Sequence, residues 1–156
     1  MCIRDRLLTN QSDEDLNRWA KNSGFDTKAI VKRFVRHHEI PDYIGLGDFG
    51  LTPVKPIPTK RYCTPIKNGE YWALGLPVVS TANISDDSGI IEDENIGSII
   101  YEQTEEAYLK SVKEIDELLK NNSREALYKK IRAVAVKYRS FDIAEKIYAE
   151  VYGEMK

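Results

Sequence analysis

A chain of 156 residues, 42% hydrophobic and 31% charged with a formal net charge of -2, is long enough to bury one core and lacks the basic excess that marks a nucleic-acid partner. Two cysteines, Cys2 and Cys63, are too few for a disulfide framework, and no Cys and His spacing resembles a zinc site, so the expected setting is reducing and cytoplasmic with no metal. No apolar run approaches the roughly 18 residues that span a bilayer, and MCIRDR lacks the apolar stretch of a signal peptide, so any membrane contact is expected to be peripheral.

Leu7 to Asn10 reads as a short strand entering a helix at Ser12, where Ser12 and Asp15 have capping-box spacing and acidic residues fill the first turn. That helix runs through Leu16, Trp19 and Ala20 to a stop at Gly24, and Ala29 to Val35 follows as a strand. Arg36 to Leu46 contains Pro41 and predicts a loop with one or two short turns; Asp48 to Val54 predicts a third strand, weakened by Gly50 and Pro53. Pro56 to Cys63, PIPTKRYC, reads as loop. Beyond the next helix come a β-branched strand Pro77 to Thr81, a polar loop, a short helical segment around Ile90 and Ile91, and a strand Gly97 to Tyr101.

From Thr104 the period turns helical. Tyr108, Val112, Ile115 and Leu119 share one predicted face, a helix from Ser123 carries Leu127, Ile131 and Val134, and one from Phe141 carries Ile143, Ile147 and Val151. Strands alternating with helices predict an α/β fold, a Rossmann-like parallel sheet with helices on both faces, ending in amphipathic helices. One domain is expected over residues 1–156. Its first six residues fit no element, and the chain reads as lacking an N-terminal portion.

The stretch Thr64 to Val79, TPIKNGEYWALGLPVV, is where function is expected. Thr64 suits an N-cap, Pro65 the first helical position, and Gly75 with Pro77 a sharp stop. At about 100° per residue, Ile66, Glu70, Ala73 and Leu74 share one arc with Lys67 at its edge. Glu70 among apolar neighbours needs a partner, and Lys67 one turn away is the plain structural one. The other reading takes the Thr64, Pro65, Ile66 turn as an anion cradle with charge from Lys67, Lys60 and Arg61, and Glu70 as acceptor for vicinal sugar hydroxyls. Adjacent His37 and His38 read as loop residues, Cys63 as a passive small one, Trp19 and Trp72 as packing, and Asp86 and Asp87 as caps of the turn Ser88 to Ile91.

The pattern Pro65, Lys67, Glu70, Tyr71, Ala73, Gly75, Pro77, Val78 resembles the donor-binding signature of retaining glycosyltransferases of the GT-B fold, and EIPDYIGLGDFGLTP resembles the segment preceding it. The likeness runs from about Ile30 to Tyr152. It implies the C-terminal half of a GT-B fold, binding a nucleotide sugar of UDP or GDP type with no other cofactor and no required metal. It places the ribose on Glu70, the diphosphate on Lys67 and the turn Thr64, Pro65, Ile66, and the base beside Val35, Arg36 and His37. Many relatives carry a second glutamate eight positions before the ribose-binding one, to hold the donor sugar; Tyr62 stands there. It also implies an acceptor-binding N-terminal domain that this chain lacks, so the chain alone is expected to be inactive. For the full-length protein it implies the cytoplasm or the inner membrane face. A non-catalytic binding module and a sugar-nucleotide epimerase are the competing readings.

Overall fold

The computed structural model describes residues 5–153, and the chain divides into two compact units, Met1–Tyr43 and Ile44–Lys156. In the first, strand β1 (Asp5–Leu8) pairs in parallel with β2 (Ile30–Arg33), joined by helix α1 (Asp13–Ser23). Local chemistry sets α1: the Ser12 hydroxyl accepts from Asp15 N–H at 3.0 Å, and Gly24 closes the helix in the left-handed region. Asp15 answers through the Ser12 hydroxyl, so the box is not reciprocal through the backbone. Lys32 of β2 reaches Asp13 at 2.8 Å. Trp19, expected to pack, is 48% exposed; α1 buries Leu16 and Ala20, because a two-stranded sheet covers only a narrow stripe of helix. The loop with one or two short turns expected after β2 holds a 3-10 turn His37–Glu39 and a short helix α2 (Ile40–Ile44).

The second unit holds a parallel sheet of β3 (Gly50–Thr52), β4 (Val78–Thr81) and β5 (Gly97–Ile100) in the order β3-β4-β5. Strand β3 is shorter than expected because Pro53 has no N–H to continue the ladder. All four residues of β4 are buried, as befits a central parallel strand covered on both faces. Helices α3 (Ile66–Ala73), α4 (Asp87–Asp93) and α6 (Arg124–Arg139) pack one core, containing Trp72, Val78, Ile91, Ile96, Ile99 and Ile131. On the other face α5 (Glu105–Asn121) sets Ile115 against Val79 and Ile100. Each fully buried Ile contributes about 1.5–3 kcal/mol. The chain is therefore α/β with a parallel sheet between helix layers.

The stop after α3 is steric. Gly75 has φ 71°, and a Cβ there would run into Tyr128 of α6, so only glycine serves. The helix α6 cap is Ser123, whose hydroxyl accepts from Ala126 N–H at 3.2 Å; the helix buries Leu127, Ile131 and Val134 as expected, and Ala135 with them. Ser123→Ala should lower stability by about 1 kcal/mol in thermal denaturation. A change below a few tenths would mean that the cap is replaced by water.

Helix α5 keeps half of its expected face: Ile115 is buried and Leu119 packs against the core, but Tyr108 and Val112 are exposed, and Ser111 and Leu118 turn inward in their place. The Ser111 hydroxyl meets that of Ser98 on β5 at 2.5 Å, which gives this buried polar residue its partner. Helix α7 (Phe141–Gly153) buries none of its residues, and Phe141, Ile147 and Val151 lie open. No helix among the described residues is long and apolar enough to cross a membrane.

Candidate functional site

Residues between β3 and α3 leave the sheet at the carboxyl end of β3. The segment expected to be irregular forms a 3-10 turn, Pro58–Tyr62, closed by Cys63 N–H donating to Lys60 O at 3.1 Å. Proline sets the φ of its first residue. The turn carries Tyr62 outward, 87% exposed, and Cys63 is exposed as well. Arg61 joins Pro56, Ile57, Pro58 and Asn83 in lining a shallow hollow of about 260 Å3. Asn83 lies two residues beyond β4, so this hollow sits at the carboxyl ends of the strands, where parallel sheets receive ligands. The loop there is strained: Asn83 and Ser85 have φ of 61° and 52°, a region that non-glycine residues seldom enter.

Thr64 does not cap α3. Pro65 occupies the N-cap, accepting from Asn68 N–H at 3.0 Å, and the helix begins one residue later than expected, at Ile66. The Thr64 hydroxyl instead meets the Ser85 hydroxyl at 2.8 Å, tying the entry of α3 to the strained loop. The expected apolar arc is also displaced. Ile66 is 78% exposed, and the buried side of α3 is Asn68 with Trp72, one turn apart. Trp72 demands the largest volume of core, and it turns the helix so that Glu70 faces outward, partly exposed.

Glu70 accepts from Lys67 Nζ at 2.7 Å, the plain pairing anticipated from their spacing. Both side chains are substantially exposed, 55% for Lys67 and 39% for Glu70, so the pair is worth about 0.2–0.5 kcal/mol and opens readily to a ligand that offers each a better partner.

Beneath this surface lies a polar chain that sequence reasoning missed. The Thr52 hydroxyl donates to Asn68 Oδ1 at 2.6 Å, and Asn68 Nδ2 donates to Asp87 Oδ2 at 2.8 Å. Arg139, the last residue of α6, donates to Asp87 and, at 2.8 Å, to Asp86; Ser85 also donates to Asp86 at 2.8 Å. Asp86 and Asp87 are therefore not side-chain caps of α4: Asp86 stands at the N-cap without a capping bond, and both carboxylates turn to Arg139. Burial pushes the Asp87 carboxyl up, against the pull of Arg139 and Asn68. For the more open Asp86, desolvation is outweighed by hydrogen bonds from Ser85 and Arg139, which hold it below the ordinary value. The signal for this chain was Trp72: taking it as the core marker puts Asn68, four residues earlier, on the buried face.

Val35, Arg36 and His37 belong to the first unit. Arg36 N–H donates to Glu39 Oε2 at 2.9 Å, and His37 opens an exposed 3-10 turn. Thr64, Pro65, Ile66, Lys67, Glu70 and Tyr62 are together in the second unit. No three His, Cys, Asp or Glu side chains among the described residues converge as a metal site would require. A larger hollow, about 470 Å3, takes none of its lining from α3 or the preceding loop.

In comparisons with protein-family models, curated proteins and solved structures nothing matches this chain.

Proposed function

We propose that residues 44–156 form the donor-nucleotide-binding part of a retaining glycosyltransferase of the GT-B type. The observation that carries this reading is the placement of Lys67 and Glu70, the two charged residues of the signature. They lie one turn apart on the open side of α3, held among the described residues only by each other, on the helix that follows the carboxyl end of β3. Arg61 and the strained loop at Asn83 and Ser85 stand at the same strand ends and support it. On this reading Lys67 and the free N–H groups of the first turn of α3 hold the diphosphate of a UDP or GDP sugar, Pro65 donating nothing. Glu70 leaves Lys67 to accept from the ribose hydroxyls. The same donors stabilise charge on the departing diphosphate without a required metal.

Tyr62 occupies the place of a sugar-holding glutamate, so nucleotide binding is what these residues support, and not the choice of sugar. The proposed location is the cytoplasm, or the inner membrane face for the full-length protein. Calorimetric titration tests the reading. The chain should bind UDP or GDP, and Glu70→Ala should weaken that binding by about 1–3 kcal/mol. The chain alone should turn over no nucleotide sugar. If neither nucleotide binds the folded chain at millimolar concentration, the non-catalytic module, favoured by the closed Lys67 to Glu70 pair, replaces this proposal.

A further inference from the structure

Strand β5 is an outer strand of its sheet among the described residues. Val78 N–H donates to Ile96 O and Ala82 N–H to Ile100 O, so Ile96, Ser98 and Ile100 face β4. In a parallel ladder the intervening residues turn their backbone groups the other way, which sends the N–H and C=O of Gly97 and Ile99 to the free edge. No strand pairs there among the described residues. The hollow of about 470 Å3 lies along that edge, with Gly97 and Ile99 in its lining and walls from α4 and α5. Those walls belong to opposite faces of the sheet, since Ile91 of α4 packs in one core and Ile115 of α5 in the other. The hollow is thus a slot between helix layers, in the place where one more strand would lie about 4.8 Å from β5.

The slot has a charge as well as a shape. Glu92 on the α4 wall and Glu114 and Glu117 on the α5 wall outnumber Lys110. Glu114 accepts from the buried Ser98 hydroxyl at 2.6 Å and Glu92 from the Tyr101 hydroxyl, so both carboxylates are held in place. Glu117 has no ion-pair partner among the described residues. Among the described residues the carboxylates form no group that would hold a metal ion, and they are spread over two walls instead, Glu92 on α4 and Glu114 with Glu117 on α5. Separate cations on one extended chain match that spread.

We infer that the free edge of β5 is a docking slot for an extended basic peptide, which adds as a strand on Gly97 and Ile99 and sets lysine or arginine side chains against Glu92, Glu114 and Glu117. The peptide's main chain supplies affinity and its alternate side chains supply selection. This surface is independent of the nucleotide reading, because none of its residues lies on α3.

The test uses the whole chain, 15N-labelled, titrated with a capped peptide of about eight residues built from lysine pairs and valine pairs in turn, so that both faces of the added strand carry lysine. Saturable shifts centred on the Gly97, Ile99 and Tyr101 amides are expected, with slowed exchange of the Ile99 amide. N-methylation of one alternate set of peptide residues should abolish binding while the other set tolerates it. Glu117→Lys, an exposed change that leaves the fold intact, should weaken the peptide by about tenfold or more. The proposal is overturned by an absence of saturable shifts at millimolar peptide, by equal binding of a glutamate and valine peptide, or by tolerance of both N-methylated sets. Edge-to-edge dimers of the chain that take up no peptide would also overturn it, in favour of a second copy.

Discussion

Arg139→Met is expected to lower folding stability by about 3–5 kcal/mol at neutral pH, because it removes one partner of a buried ion pair and leaves the other in place. Asp87 is 0% exposed and would retain only Asn68 as a donor. Methionine keeps the bulk over the Trp72 ring, which the Arg139 guanidinium carbon approaches to 5.7 Å, and forfeits no bond at Nε, which has none. The pH dependence separates charge from packing. Asp86 in the wild type is held below its usual 3.8, so the stability it contributes is present above 3.8 and is lost as pH falls through the lowered value. Asp87 is raised, so its ionisation costs stability at neutral pH and the cost is relieved as pH falls through the raised value. Without Arg139 that cost grows and the Asp86 contribution shrinks. Both changes narrow the gap between variant and wild type on acidification from about pH 7 to about pH 3. Urea denaturation across that range checks it, and a gap that stays constant would assign the loss to packing alone.

Gly97→Ala is expected to cost about 3 kcal/mol, at the upper end for overpacking. A Cβ at this position would collide with the Val78 carbonyl oxygen and stand 2.9 Å from its carbon. These are backbone atoms of the paired strand β4 and have no rotamer by which to withdraw, so the ladder between β4 and β5 must part locally. The midpoint of chemical denaturation should fall accordingly, with earliest loss of amide protection at Val78 and Ser98. A loss below about 1 kcal/mol would mean that the two strands yield more easily than close packing allows.

Much of the fold was legible residue by residue. The order of strands and helices, the parallel α/β architecture, the cap at Ser12, the helix start at Ser123 and the glycine stops at Gly24 and Gly75 all rest on short-range patterns. A hydroxyl three residues before an N–H, or a glycine after the last turn, acts on its own neighbourhood. The candidate site was legible as a set: Thr64, Pro65, Ile66, Lys67 and Glu70 lie on or beside one helix start. Its geometry was not. Two stripes of α3 were apolar enough to be buried, and the choice of Asn68 with Trp72 over Ile66 with Leu74 depended on where β3 and α6 stand.

From the sequence alone came the surface pair of Lys67 and Glu70, whose partners are 3 residues apart and meet in any helix. Only the tertiary structure decided that Asn68 meets Asp87 across 19 residues and that Arg139 meets Asp87 across 52. Local hydrogen bonds follow from chain geometry. Which distant polar groups are buried together follows from how the helices share the two faces of the sheet, and no spacing in the chain records that.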